Sequence, residues 1–153
     1  MDPIRYAAAA CQTDNPSPET RADIKRNTDR MVEMIDMTVD GYSPLLPVRL
    51  FAFPEFGHAA PRYRTVGELL EKLAVTIPNE HTDAYVAKAA EHDIYIQTAT
   101  FLESDAKWPG AVFNTTCLVG PGGILTKYRK VNPWIPLEVH ASPHDIEGYD
   151  EPL

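Results

Sequence analysis

The sequence predicts an α/β fold, a mixed sheet with covering helices, and three observations carry that prediction. Short β-branched or aromatic runs alternate with stretches of helical periodicity. Their order is strand, helix, strand, helix, helix, strand. A glycine-turned hairpin then adds antiparallel pairing to a sheet that begins as strand–helix–strand.

Each element has a local reason. Residues 4–11 read as a first buried strand, alanine-rich and weak in β propensity. A turn follows at Asp14-Asn15-Pro16-Ser17-Pro18, where Ser17 suits an N-cap and Pro18 the first helical position. The helix runs to about residue 39, with Ile24, Met31, Val32, Ile35 and Val39 on one face, and Gly41 ends it. Residues 48–53 form a second apolar strand, and residues 57–67 a loop containing His58, Pro61, Arg62 and Arg64. A short helix is expected near 67–74. A longer one near 80–92 has Tyr85, Val86, Ala89 and Ala90 on its inner face. Residues 94–101 are β-branched and aromatic, hence a strand. Residues 112–119 and 124–128 flank Gly120-Pro121-Gly122-Gly123 and read as a hairpin. Beyond residue 131, Pro133, Pro136, Pro143 and Pro152 forbid a long regular element.

The 153 residues suffice for one domain with a real core. A net charge of −8 gives no electrostatic reason to expect nucleic acid or an anionic membrane as partner. No apolar run approaches a membrane span, and the N-terminus lacks a signal pattern. Two cysteines cannot build a disulfide framework, so the expected compartment is reducing and cytoplasmic.

Three residues stand out chemically. Glu55, in Phe53-Pro54-Glu55-Phe56, sits at the carboxyl end of a buried strand, where α/β sheets place their ligands. Two flanking phenylalanines would desolvate it, raise its pKa and suit it to general acid–base work. A loop acid capping a helix, or paired with Arg62 or Arg64, explains it equally well. Along the last strand, Lys127 and Arg129 point one way while Tyr128 and Lys130 point the other. Lys130 therefore shares a face with an aromatic, where one cation can stabilise an oxyanion; an edge strand protected by lysine is the commoner explanation. Glu138, in Pro133-Trp134-Ile135-Pro136-Leu137-Glu138, alone reads as a loop acid. His140, His144 and Asp145 sketch a metal site that a solvated loop explains better, so no metal is expected. Cys11 and Cys117 lie in apolar strands without basic neighbours and read as inert buried thiols.

Taken together, Phe53-Pro54-Glu55-Phe56 and Tyr128-Arg129-Lys130 resemble the glutamate and lysine motifs of the nitrilase superfamily of carbon–nitrogen hydrolases. The intervening Asn114-Thr115-Thr116 strand opening and Gly-Pro-Gly-Gly turn fit as well, and the similarity extends over nearly the whole chain. The resemblance implies the N-terminal part of an α-β-β-α sandwich, incomplete, with residues 1–153 a partial domain truncated before the nucleophile cysteine. It implies Glu55 as general base, Lys130 as oxyanion stabiliser and a thioester intermediate on a cysteine. The stretch from Lys130 to Glu138 resembles that of aliphatic amidases and formamidases, which implies that Glu138 orients the substrate amide and that Phe56 and Trp134 line the acyl pocket.

Residues 131–153 contain no cysteine, so the nucleophile is expected beyond this chain and the chain alone is expected to be inactive. The implied reaction is hydrolysis of a small aliphatic amide to acid and ammonia without a cofactor. The expected partners are the amide and a homo-oligomer or a missing C-terminal half. Other readings are a carbamoylase, nitrilase or glutaminase-type domain within the family, or outside catalysis a truncated remnant or one piece of a split enzyme.

Overall fold

The computed structural model describes residues 4–14 and 16–152. Asn15 of the expected turn and the first three residues of the N-terminus lie outside them.

The elements are β1 (Ala7–Ala10), α1 (Arg21–Tyr42), β2 (Val48–Ala52), α2 (Val66–Lys72), α3 (Glu80–His92), β3 (Tyr95–Gln97), β4 (Phe101–Glu103), β5 (Phe113–Gly120) and β6 (Gly123–Arg129). A single 3₁₀ turn, Pro143–Asp145, is the only regular element of the proline-rich tail among the described residues. β1, β2 and β3 pair in parallel, and β5 runs antiparallel to β3, β4 and β6. The result is the expected α/β mixed sheet.

α1 and α3 cover one face of the sheet. There Met31, Ile35, Phe51, Phe53, Tyr85, Ala89, Ile96 and Val119 form the main core. A second cluster around Leu69, Leu73, Leu102 and Val112 sits beneath α2. On the other face Ala8, Ala10, Tyr95 and Tyr128 stay exposed, and no described residue covers them.

Several boundaries differ from expectation for identifiable reasons. α1 begins at Arg21 rather than Pro18, because the Asp23 carboxylate accepts both the N–H and the hydroxyl of Thr20 at 2.8 Å. The carbonyls of Ser17 and Pro18 instead accept from Arg62, which draws that stretch out as a loop. Gly41 does not stop α1, which continues to Tyr42 and closes with Ser43 N–H on the Val39 carbonyl. On α3 the inner face is His81, Thr82, Tyr85 and Ala89; Ala90 is exposed.

The single strand expected over 94–101 is divided into β3 and β4. At the break, Thr98 Oγ1 replaces a backbone carbonyl and accepts Cys117 N–H at 3.0 Å. The hairpin forms as expected, with Gly120 opposite Gly123 and a two-residue turn. Gly123 holds φ at 126°, a backbone setting that side chains resist.

Candidate active site

The sequence of the β2 exit dictates the site. Phe53 continues the sheet pairing by donating its N–H to the Gln97 carbonyl at 3.1 Å. The chain then reverses in a tight turn where Phe56 adopts φ 60°, a strained setting for an aromatic residue. Thr100 Oγ1 compensates by accepting Phe56 N–H at 2.8 Å. The next residue must be glycine for a different reason: a Cβ on Gly57 would lie 2.6 Å from that of Ala99. His58 is fully buried, stacked on Phe101 with centroids 3.8 Å apart, and its carbonyl accepts Asn27 Nδ2 at 3.0 Å. Burial pulls the His58 pKa down to about 3, with the nearby His81 adding to the shift, so the ring is neutral. The expected loop is therefore anchored in the core at its first residues.

The far side of the site comes from the end of β6. Lys130 N–H donates to the Asn114 carbonyl at 2.8 Å, extending the β5–β6 ladder by one residue. Opposite strand faces do opposite work. Arg129 points into the protein, where Glu103 accepts from Nε and Nη2 at 2.7 and 2.8 Å, Asp105 shares Nη2 at 2.6 Å, and Nη1 donates to Glu151 at 2.9 Å. Its guanidinium also lies 4.3 Å from the Phe113 ring centroid and 4.8 Å from that of Trp108. With Arg129 locked, Lys130 must project from the other face.

There the ammonium meets both sequence-predicted carboxylates. Lys130 Nζ donates to Glu55 Oε1 at 2.9 Å and to Glu138 Oε1 and Oε2 at 2.8 and 2.9 Å. Neither alternative explanation holds: Lys130 is not a free edge lysine, and Glu55 pairs with Lys130 rather than with Arg62 or Arg64. Arg62 goes to Glu19 instead. Glu138 is not a solvated loop acid; it is 8% exposed and also accepts Trp134 N–H at 2.6 Å.

The protonation states follow from these contacts. Burial lowers the Lys130 pKa, but the hydrogen bonds to Glu138 and Glu55 outweigh it and hold the amine above its ordinary value. Burial raises the Glu138 pKa, and the bonds from Lys130 and Trp134 more than reverse that. A firmly charged lysine is an electrostatic stabiliser and a poor base.

The desolvation expected for Glu55 is small, because its side chain is 43% exposed. Its Oε1 takes Lys130 and also Asn114 Nδ2 at 2.6 Å, while Oε2 receives no hydrogen bond among the described residues. One carboxylate oxygen is fixed and the other is free for a proton.

Phe56 lies with its ring centroid 5.8 Å from Lys130 Nζ. Trp134 is 60% exposed and shares with Phe56, Arg64, Leu137 and Glu138 the wall of an open cleft of about 840 Å³. A smaller hollow of about 280 Å³, bordered by Glu55, Asn114, Thr116, Tyr128 and Lys130, opens on the uncovered sheet face. Glu55 and Lys130 thus border the smaller hollow while Phe56, Trp134 and Glu138 border the cleft, and the Lys130 ammonium, bonded to both Glu55 and Glu138, joins the two sets.

Sequence reasoning missed Asn114, Thr100 and His140. Asn114 holds Glu55 with its side chain and Lys130 with its carbonyl; the sequence offered it only as part of the Asn114-Thr115-Thr116 strand opening, with no role in the site. Thr100 gave none. His140 was assigned to a solvated loop and is 4% exposed, next to Glu138, whereas His144 and Asp145 are exposed and apart from it. The two cysteines are not in the site. Cys117 points into the helix-covered core, where burial pushes its thiol up to about 12, and Cys11 packs at the edge of that core with its pKa raised by burial.

The chain is similar to known proteins in both sequence and fold. A family model described as carbon–nitrogen hydrolase matches residues 7–149, and the chain belongs to that family. The chain is 31% identical over 134 residues to a formamidase of Bacillus cereus and 30% identical to one of Bacillus anthracis. Each match takes in 87% of this chain and 38% of the relative, so the chain spans well under half the length of those relatives. Among solved structures, an N-terminal amidase with an Asn-Glu-Ala peptide superposes with a TM-score of 0.67 at 15% identity, covering 84% of this chain and 28% of that one. Saccharomyces cerevisiae Nit3, a member of branch 10 of the nitrilase superfamily, gives 0.65 at 20% identity, covering 82% and 44%. These likenesses show the fold. With the family match they make the chain, in its class, part of a carbon–nitrogen hydrolase family member with the fold of these neighbours. No helix among the described residues is long and apolar enough to cross a membrane.

Proposed function

We propose that this chain supplies the base and the electrostatic half of a centre that hydrolyses a small aliphatic amide such as formamide to acid and ammonia. The observation that carries the proposal is Lys130 Nζ within 2.9 Å of both Glu55 and Glu138. Two carboxylates on one cation leave that cation held in place but not consumed.

Neither cysteine here faces the ammonium, so the thiol comes from outside residues 4–152. It gives its proton to Glu55 Oε2 and attacks the amide carbon. The oxygen gains negative charge beside Lys130, and Glu138 receives the amide N–H. Ammonia leaves with the proton returned by Glu55, giving a thioester. Glu55 then takes a proton from water, the hydroxide adds to the thioester carbon, and the sulfur leaves with the proton returned by Glu55, releasing the acid and restoring thiol and carboxylate. The formamidase relatives support an amide substrate.

The test uses a polypeptide joining this chain to a nucleophile-bearing remainder of the fold. Wild type is expected to release ammonia from formamide. Glu55→Gln is expected to lose at least about a hundred-fold in kcat, the range for a general base, with an unchanged circular dichroism spectrum. Retained turnover removes Glu55 from the reaction.

A further inference from the structure

His140 is a buried polar group that the reaction above does not use. Neither ring nitrogen is exposed, and neither has a hydrogen-bond partner among the described residues. Buried polar groups are rarely left so, and those that are call for a reason. Its Nε2 lies 3.6 Å from Glu138 Oε2, about half an ångström beyond a hydrogen bond. That oxygen is already occupied by Lys130 and by the Trp134 N–H. The segment is firmly placed: Ala141 N–H donates to the Val112 carbonyl at 2.7 Å, and Ser142 Oγ to the Val131 carbonyl at 2.6 Å. With that segment fixed, only a turn of the Glu138 carboxylate would close the gap, and such a turn would loosen its two-oxygen grip on Lys130.

We propose that His140 is a positioning residue that takes over Glu138 when Lys130 turns to the substrate. At rest, Lys130 neutralises Glu138 and the imidazole waits unpaired. As the ammonium follows the developing oxyanion, Glu138 loses two hydrogen bonds, and the His140 N–H replaces one without adding a charge. A neutral donor suits this exchange, since a second cation would hold Glu138 permanently and repel Lys130. Burial keeps the ring neutral; Glu138 pulls its pKa back up, Lys130 pushes it down, and Glu55 pulls it up.

The catalytic part rests on the proposed amide hydrolysis, so the test has two arms that fail separately. In the first, ring-nitrogen NMR compares wild type with Lys130→Met, which imitates the departed ammonium; Lys130→Gln replaces it if that variant does not fold. The expected result is a new exchange-protected, downfield Nε2–H signal from His140 that disappears when Glu138→Leu is added. An unchanged ring spectrum, or a signal that survives Glu138→Leu, overturns the exchange.

In the second arm, His140→Phe in the amide-hydrolysing protein is expected to lower kcat about ten-fold or more, the scale of one hydrogen bond to a charged group. KM should hold, and His140→Gln should recover most of the loss. Equal losses in both variants reduce His140 to packing, and no loss in either overturns the proposal. If wild type hydrolyses no formamide, the functional reading fails while the NMR arm still decides the His140–Glu138 contact.

Discussion

Lys130 and Arg129 are neighbours with opposite surroundings, and the difference decides what each does. Arg129 is 4% exposed with a carboxylate, Glu103, that is 1% exposed. Losing one partner of such a pair strands the other charge in the interior. Arg129→Met is therefore expected to lower stability by about 3–5 kcal/mol, the range for breaking a buried pair, measured by urea unfolding at neutral pH. The penalty should depend on pH. Burial raises the Glu103 pKa, but hydrogen bonds from Arg129, Lys127 and Thr115 outweigh it and hold the carboxyl below its ordinary value. A depressed carboxyl stabilises the fold above its unfolded pKa of about 4.3, and that contribution vanishes as pH falls through the folded value. The cost of Arg129→Met should accordingly shrink in acid, and an equal cost at neutral and acid pH would contradict this pairing. Cys117 allows a simpler measurement. With its thiol pushed up to about 12 and fully buried, it should resist iodoacetamide in the native protein and react readily in denaturant. Rapid native labelling would place it outside the core.

The elements show where sequence patterns suffice and where they do not. α3 matched at both ends because Asn79 caps it through two hydrogen bonds, to the N–H groups of His81 and Thr82. Asn79→Ala should cost about 1 kcal/mol by thermal unfolding. α1 misled because Ser-Pro is a good start signal, yet Asp23 and Arg62 together favour a start three residues later. Apolar periodicity could not reveal the break between β3 and β4, which depends on one threonine hydroxyl reaching the facing strand. That break matters for the site, since Thr100 lies in it and fixes the turn after Glu55. Gly57 is the tightest point of the turn. Gly57→Ala is expected to cost about 1–3 kcal/mol, the scale of an overpacked core, and to move Glu55 from Lys130. A crystal structure with the 2.9 Å contact intact would argue against this.

At the scale of the whole molecule, the sheet brings together residues that the chain keeps far apart. Glu55 ends β2, Lys130 follows β6, and Glu138 arrives from an irregular segment. The start of β5 serves them, as Asn114 ties β2's exit to β6's end. The glutamate and lysine were legible because each stands beside a recognisable strand motif. Glu138 needed the Trp134-to-Glu138 stretch as a whole. Asn114 and His140 were not legible, since their importance lies in contacts across the sheet that no local pattern encodes. One face of the sheet is left uncovered by the described residues, and the chain spans 38% of the formamidases' length.

Intact-mass analysis of a polypeptide carrying this chain and the nucleophile-bearing strand, after reaction with acetamide, tests that arrangement most directly. The account predicts an acetyl thioester on a cysteine outside residues 4–152, present in wild type and absent in both Glu55→Gln and Lys130→Met. An adduct on Cys11 or Cys117, or one that forms equally well without Lys130, would contradict it.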